Sequence, residues 1–163
     1  MIGQRMTADE FLQITDEWPR MELIDGEIVV NTPTQRHQDI VLHLASRLKA
    51  WSEAEPDRGA AHIEVDHRLD DRNVFAPDVW WSPNDWAAAS PAIAVEVGSR
   101  STRARDRGIK RERYGATGAL EVWLVDTGHD VVVIGDRILG ADDHITSSHL
   151  PGFSLSVREL FDR

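Results

Sequence analysis

The sequence predicts a mixed α/β or α+β fold, one sheet with helices on both sides, rather than a helix bundle or a β-sandwich. Three observations carry this. Helical and alternating apolar patterns are interleaved along the chain rather than segregated. One 20-residue stretch, 35–54, carries a single apolar helical stripe. One strand-like run, 92–97, is apolar on both faces except for Glu96, as suits a central strand. At 163 residues the chain fits one domain, 1–163, large enough for a real core.

In chain order, Thr7 to Glu10 before Phe11 and Leu12 forms a capping-box pattern that starts a short helix over 8–14. Residues 20–31 read as a hairpin turning at Asp25 and Gly26. The long helix follows, with Ile40, Val41, Leu44, Ala45, Leu48 and Trp51 on one stripe, until Pro56 to Gly59 breaks it. Residues 60–69 alternate as a half-buried strand would, through Ile63, Val65, His67 and Leu69, and 70–73 make a turn. The next strand is 74–81, followed by a connection over 82–91 and the strand at 92–97. Ser99 or Ser101 can cap a helix over 101–116, which Gly115 and Gly118 stop. A strand over 120–126, a turn at 127–130 and a return strand over 131–134 come next. Beyond Gly135 the pattern gives short strands or loops, then a terminal helix over 157–161.

Composition narrows the function. No cysteine is present, which excludes disulfides, thiolate metal sites and cysteine nucleophiles. The opening MIGQRMTADEF has no charged stretch followed by an apolar one, so no signal peptide is expected. No apolar run suits a membrane span, and the expected compartment is the cytoplasm. The net charge of −10 argues against a general nucleic-acid coat protein. Its distribution is uneven. Arg100, Arg103, Arg105, Arg107, Lys110, Arg111 and Arg113 meet only Asp106 and Glu112, a local net of +5, which leaves the rest of the chain at −15. Such a patch can meet a phosphate backbone at one place.

The stretch from Val74 to Tyr114 holds the chemistry. Asp78 and Glu96 each interrupt an apolar strand, and a buried acid is costly unless paired or bound to a cation. Pro77 has no N–H, so its strand is at an edge or bends there, and the bend can aim Asp78 at a ligand. Asp78 and Glu96, with the Val97 carbonyl, could hold one or two Mg²⁺ or Mn²⁺ ions through hard oxygen ligands. Such ions activate water and stabilise charge on a scissile phosphate. Lys110 could assist the attacking water; the competing reading is a surface ion pair with Asp106, four residues earlier. The competing reading for the two acids is a structural role, capping a turn or pairing with an arginine. Glu22 could add a third carboxylate or be an exposed hairpin acid. His37 could contact a phosphate or orient the acids, or be a surface residue. Trp80 and Trp81 adjoin, so one faces the core and the other the opposite face, as a base-stacking platform or as packing. Zinc-protease, phosphate-loop, dinucleotide and nucleophile-elbow motifs are absent.

These pieces together resemble the Uma-type family of restriction endonucleases, widespread in bacterial genomes and part of the PD-(D/E)xK nuclease superfamily. The matching pieces are MELIDGEIV at 21–29, His37, APDV at 76–79, VEVGSRST at 95–102, Asp106 and Lys110 with Tyr114, and LEVWLVD at 120–126. The resemblance implies a restriction-endonuclease-like core with Asp78 and Glu96 as metal-binding acids and Glu22 and His37 as accessory residues. The superfamily lysine stands two residues after the second acid, where this chain has Gly98; Lys110 is the natural substitute. The family usually has leucine at position 98 and proline at position 100, where this chain has Gly98 and Arg100. The implied activity is Mg²⁺- or Mn²⁺-dependent DNA cleavage. The basic segment (Arg100, Arg103, Arg105, Arg107, Arg111 and Arg113) would contact phosphates, and a homodimer would cut two strands. Two other readings stand beside it: a non-catalytic binding or assembly module that keeps the fold, and a small phosphate-ester hydrolase on the same scaffold.

Overall fold

The computed structural model describes residues 5–14 and 20–162, apart from the side chains of 100–105. The chain opens with α1 (Ala8–Leu12), whose capping box is formed by Thr7 and Glu10 in both directions. The hairpin β1 (Met21–Ile24) and β2 (Glu27–Val30) turns at Asp25 and Gly26. Both have positive φ, 48° and 84°, the requirement of a tight hairpin turn with both central residues left-handed. A Cβ on Gly26 would also come within 2.7 Å of Arg5 Cβ, so glycine fits there on two grounds.

Thr34 caps α2 (Gln35–Ala54) by accepting from the His37 N–H. Its stripe of Ile40, Val41, Leu44 and Leu48 is buried as the spacing predicts.

The two runs at 60–69 and 74–81 differ from the expectation in one respect: each is split between two sheets. The first becomes β3 (Ala60–His62) and β4 (His67–Asp70), the second β5 (Asn73–Phe75) and β6 (Val79–Ser82). A four-stranded antiparallel sheet runs β2-β1-β5-β4. Pro77 ends the hydrogen-bonding of one strand, and the chain crosses at Ala76–Asp78 to the larger sheet.

That sheet continues through β7 (Ile93–Gly98), α3 (Arg100–Ala116), β8 (Glu121–Asp126), β9 (Val131–Ile134) and β10 (Arg137–Leu139), in the order β10-β9-β8-β7-β6-β3. Only β7 and β8 are parallel, joined by α3 as a parallel pair requires. A two-stranded pair, β11 (His144–Ile145) and β12 (Leu155–Ser156), and α4 (Val157–Phe161) complete the chain.

The odd residues of β7, Ile93, Val95 and Val97, pack with α2, α4 and Trp123 into the main core. Ala94 joins Ile24, Phe75 and Tyr114 in a second core under α3 and the small sheet. Ala8, Phe11, Leu23 and Val74 bury the other face of that small sheet under α1. Among the described residues no helix is long and apolar enough to cross a membrane.

Candidate active site

The crossing at Ala76–Asp78 meets the C-terminal half of β7 and the inner face of α3. A cleft of about 520 Å³ opens there, lined by Glu22, His37, Asp78, Glu96, Arg107 and Lys110 among others. Period-two alternation on β7 puts Glu96 on the α3 side, beside Ala94. The register that pairs Val79 with Val95 sets Pro77 opposite Val97. Pro77 has no N–H to offer, and the Val97 N–H goes instead to Asp78 Oδ2, 2.7 Å away. The Val97 carbonyl faces the same side as its N–H, toward that gap in the ladder.

Glu22, Asp78, Glu96 and Lys110 are all buried. Lys110 Nζ lies 2.8 Å from Glu22 Oε1 and 2.5 Å from Glu96 Oε1. The ammonium also stands 5.3 Å from the centre of the Phe75 ring. The surface pair with Asp106 does not form, because this face of α3 looks inward at two carboxylates. Glu22 is no exposed hairpin acid: it is 3 % exposed and takes the Ala76 N–H and the Asn31 side-chain amide, each at 2.8 Å. The Tyr114 hydroxyl donates to Glu96 Oε1 at 2.7 Å, so both bonds to Glu96 fall on one oxygen.

His37 is not a free surface residue either. Its Nε2 lies 3.2 Å from Asp78 Oδ1, and Arg20 NH1 stands 3.7 Å from the same oxygen. Arg20 also bonds Glu64 at 2.8 Å and the Ala76 carbonyl.

The electrostatics separate the two strand acids. Burial opposes ionisation of Asp78, but the hydrogen bond and charge of His37, with the Val97 N–H, hold its carboxyl below the ordinary value. Burial pulls His37 down, and its bond to Asp78 more than compensates, raising it. Burial pushes the Glu96 carboxyl up to about 7; Lys110 pulls it down, while Glu22 and Asp78 push it further up. Lys110 is raised: burial opposes its charge, and Glu22 and Glu96 together outweigh burial. Burial raises Tyr114 well above its ordinary value, so its hydroxyl stays a donor.

Of the basic segment, Arg107 reaches the cleft, donating to the Val125 carbonyl at 3.1 Å. Arg111 donates to the Gly135 carbonyl, and Arg113 pairs with Asp25 and Glu112, both away from the cleft. The side chains of Arg100, Arg103 and Arg105 lie outside the described residues. Asn31 and Arg20 were not legible as site residues. Each looks like a polar residue at a hairpin end, and only the folded contacts bring them to Glu22 and Asp78.

The donor chemistry suits a hard divalent cation: one carboxylate at the crossing before β6, one on the neighbouring β7 and a backbone carbonyl, all oxygen. Among the described residues no three acidic or histidine groups already stand close enough to enclose an ion. A site of this kind leaves coordination positions to water and to a substrate phosphate, as Mg²⁺ sites usually do.

Residues 8–158 match the protein family described as "Putative restriction endonuclease". No protein of curated function matches the chain. Among solved structures, the fold is similar to the crystal structure of a "putative nuclease belonging to DUF820" from Anabaena variabilis. The TM-score is 0.82 at 19 % identity, covering 96 % of this chain and 98 % of that one. At that identity the likeness is one of fold.

Proposed function

The chain belongs to that family, Uma2, and from this premise we propose that it is a divalent-metal-dependent DNA endonuclease whose reaction takes place in the cleft between Asp78, Glu96 and Lys110. The observation that carries the proposal is the convergence of three buried ionisable side chains, from the crossing before β6, from β7 and from α3, in one open cleft. Burying so many charges is expensive for stability alone, and perturbed carboxylates in a cleft point to a functional site.

In this reading Asp78, Glu96 and the Val97 carbonyl hold Mg²⁺ or Mn²⁺. When bound, the cation supplies water activation and charge stabilisation at the scissile phosphate. His37 keeps Asp78 ionised and fixes its orientation. Glu22, anchored by Ala76 and Asn31, holds Lys110 in the cleft. Lys110 orients the attacking water and balances the charge that grows on the phosphate. It therefore takes the part that Gly98 cannot, arriving from the following helix rather than from the strand. Arg107 contributes positive charge at the cleft wall, and the rest of the basic segment adds weaker backbone attraction. The enzyme acts as a homodimer, one subunit for each strand.

The test is cleavage of a supercoiled plasmid in Mn²⁺, in Mg²⁺ and in EDTA, with wild type and Glu96→Ala purified in parallel. Metal-dependent cleavage that the variant lacks supports the proposal. Equal cleavage by both proteins, or none by wild type across varied target sequences, contradicts it.

A further inference from the structure

The paired tryptophans of β6 separate cleanly. Trp81 enters the main core, where its indole N–H donates to the Arg58 carbonyl at 2.7 Å. Trp80 takes the opposite face, the face of its register partner Ala94 and so of Glu96 on β7. It does not enter a core there. Two imidazoles stand against its ring, each with its centroid 4.6 Å away: His62 tilted by 35°, and His67 nearly perpendicular at 87°. The three rings line a second pocket of about 400 Å³, together with Trp86 and Asp85.

Several features of this pocket point to one class of ligand. Among the described residues no lysine or arginine lines it, so that lining is not built for a phosphate. Its aromatic rings offer flat faces. Trp86 is held by a bond from its indole N–H to the Ser90 carbonyl at 2.7 Å. Polar groups of both kinds stand at the walls. Asn84, in the lining, carries an amide donor, while the Trp80 indole N–H is enclosed and has no acceptor among the described residues. His67 Nδ1 meets the Val65 carbonyl at 2.8 Å and so carries the proton, which leaves Nε2 as an acceptor. Asp85 adds a carboxylate acceptor. An uncharged planar ring with both donors and acceptors on its edge fits this set, and a nucleobase is such a ring.

The pocket is tied to the cleft. Glu64, between His62 and His67 in the chain, pairs with Arg20, which reaches toward Asp78. A strand whose phosphate lies at Asp78 and Glu96 would therefore run along this sheet face toward Trp80.

We propose that the His62–Trp80–His67 pocket binds an unstacked nucleobase of the strand that is cut in the neighbouring cleft. The inference rests on the nuclease reading and adds to it the part of the substrate recognised outside the reacting phosphate.

The test is equilibrium binding of a short fluorescent single-stranded oligonucleotide in EDTA, by anisotropy, alongside an abasic strand of equal length. Trp80→Ala weakens binding of the base-bearing strand by about tenfold, the size of one base–aromatic stack. Trp80→Phe keeps affinity within about twofold, and His62→Ala, at an exposed position, loses a few-fold. All the proteins bind the abasic strand alike. Urea unfolding of each variant shows that the fold is retained. Equal affinity of wild type, Trp80→Ala and His62→Ala for the base-bearing strand overturns the proposal, as does no binding by wild type or an equal loss on the abasic strand. Plasmid cleavage by wild type separates the two readings. Cleavage with no Trp80 effect removes the pocket and leaves the nuclease. A Trp80 effect without cleavage keeps a base-binding pocket and removes the nuclease.

Discussion

Replacing Lys110 by methionine keeps most of its aliphatic stem and removes the ammonium from between Glu22 and Glu96. The lysine side chain is 6 % exposed and those of the two acids 4 % and 12 %, so water cannot take over the lost partner. Breaking a buried ion pair from one side costs about 3–5 kcal/mol. In wild type Lys110 holds the Glu96 carboxyl down against burial, so its loss pushes that carboxyl above about 7. A carboxyl raised in the folded state gives stability at low pH that is lost as the pH rises through its folded value. The variant therefore relieves the clash near pH 6 by protonating Glu96, and near pH 8 it carries more of the full deficit. Urea unfolding at both pH values measures this, with Glu22→Gln combined with Lys110→Met as a second variant that removes one of the two facing charges. A deficit below about 1 kcal/mol at the higher pH, the range of an exposed pair, would refute the buried bridge. So would a deficit that shrinks as the pH rises.

Four further outcomes are expected. Mn²⁺ affinity measured by calorimetry should fall about tenfold for each pH unit below about 7, where Glu96 takes up a proton, and level off above it; a flat profile would remove Glu96 from the ligand set. Tyr114→Phe keeps the edge contact with Phe75 at 5.1 Å and deletes the bond to Glu96. It should cost about 1.5–3 kcal/mol in urea unfolding and weaken Mn²⁺ binding a few-fold, and no change in either would contradict the positioning of Glu96. Gly98→Ala should unfold within about 0.5 kcal/mol of wild type, because its Cβ would meet Arg107 only at 3.9 Å. Gly59→Ala should be strongly destabilised, since φ is +72° and a Cβ would fall 2.1 Å from the Ser82 carbonyl oxygen.

Much of this architecture was legible from local pattern. The stripe from Ile40 to Leu48, the Thr7 capping box and the Asp25–Gly26 turn are each encoded within one or two turns of chain, and each forms as read. Glu96 and Asp78 stood out because an acid in an apolar strand conflicts with its surroundings. The splitting of 60–69 and 74–81 between two sheets was not legible, since alternation names the buried face and not the sheet that buries it. Local spacing also misled at Lys110. The Asp106–Lys110 interval has the form of a surface pair, yet the strongest partner, Glu22, lies 88 residues away in the chain. Asn31 and Arg20 stayed hidden for the same reason: their roles exist only through contacts made by the fold.

The central claim is that Asp78 and Glu96 together hold a divalent cation in the cleft. Crystals soaked in MnCl₂ and measured at a wavelength where manganese scatters anomalously test it most directly. The account predicts an anomalous peak bonded to a carboxylate oxygen of Asp78 and one of Glu96, beside the Val97 carbonyl, and absent from Glu96→Ala crystals. A peak elsewhere in the molecule, or none in the cleft at saturating Mn²⁺, would contradict it.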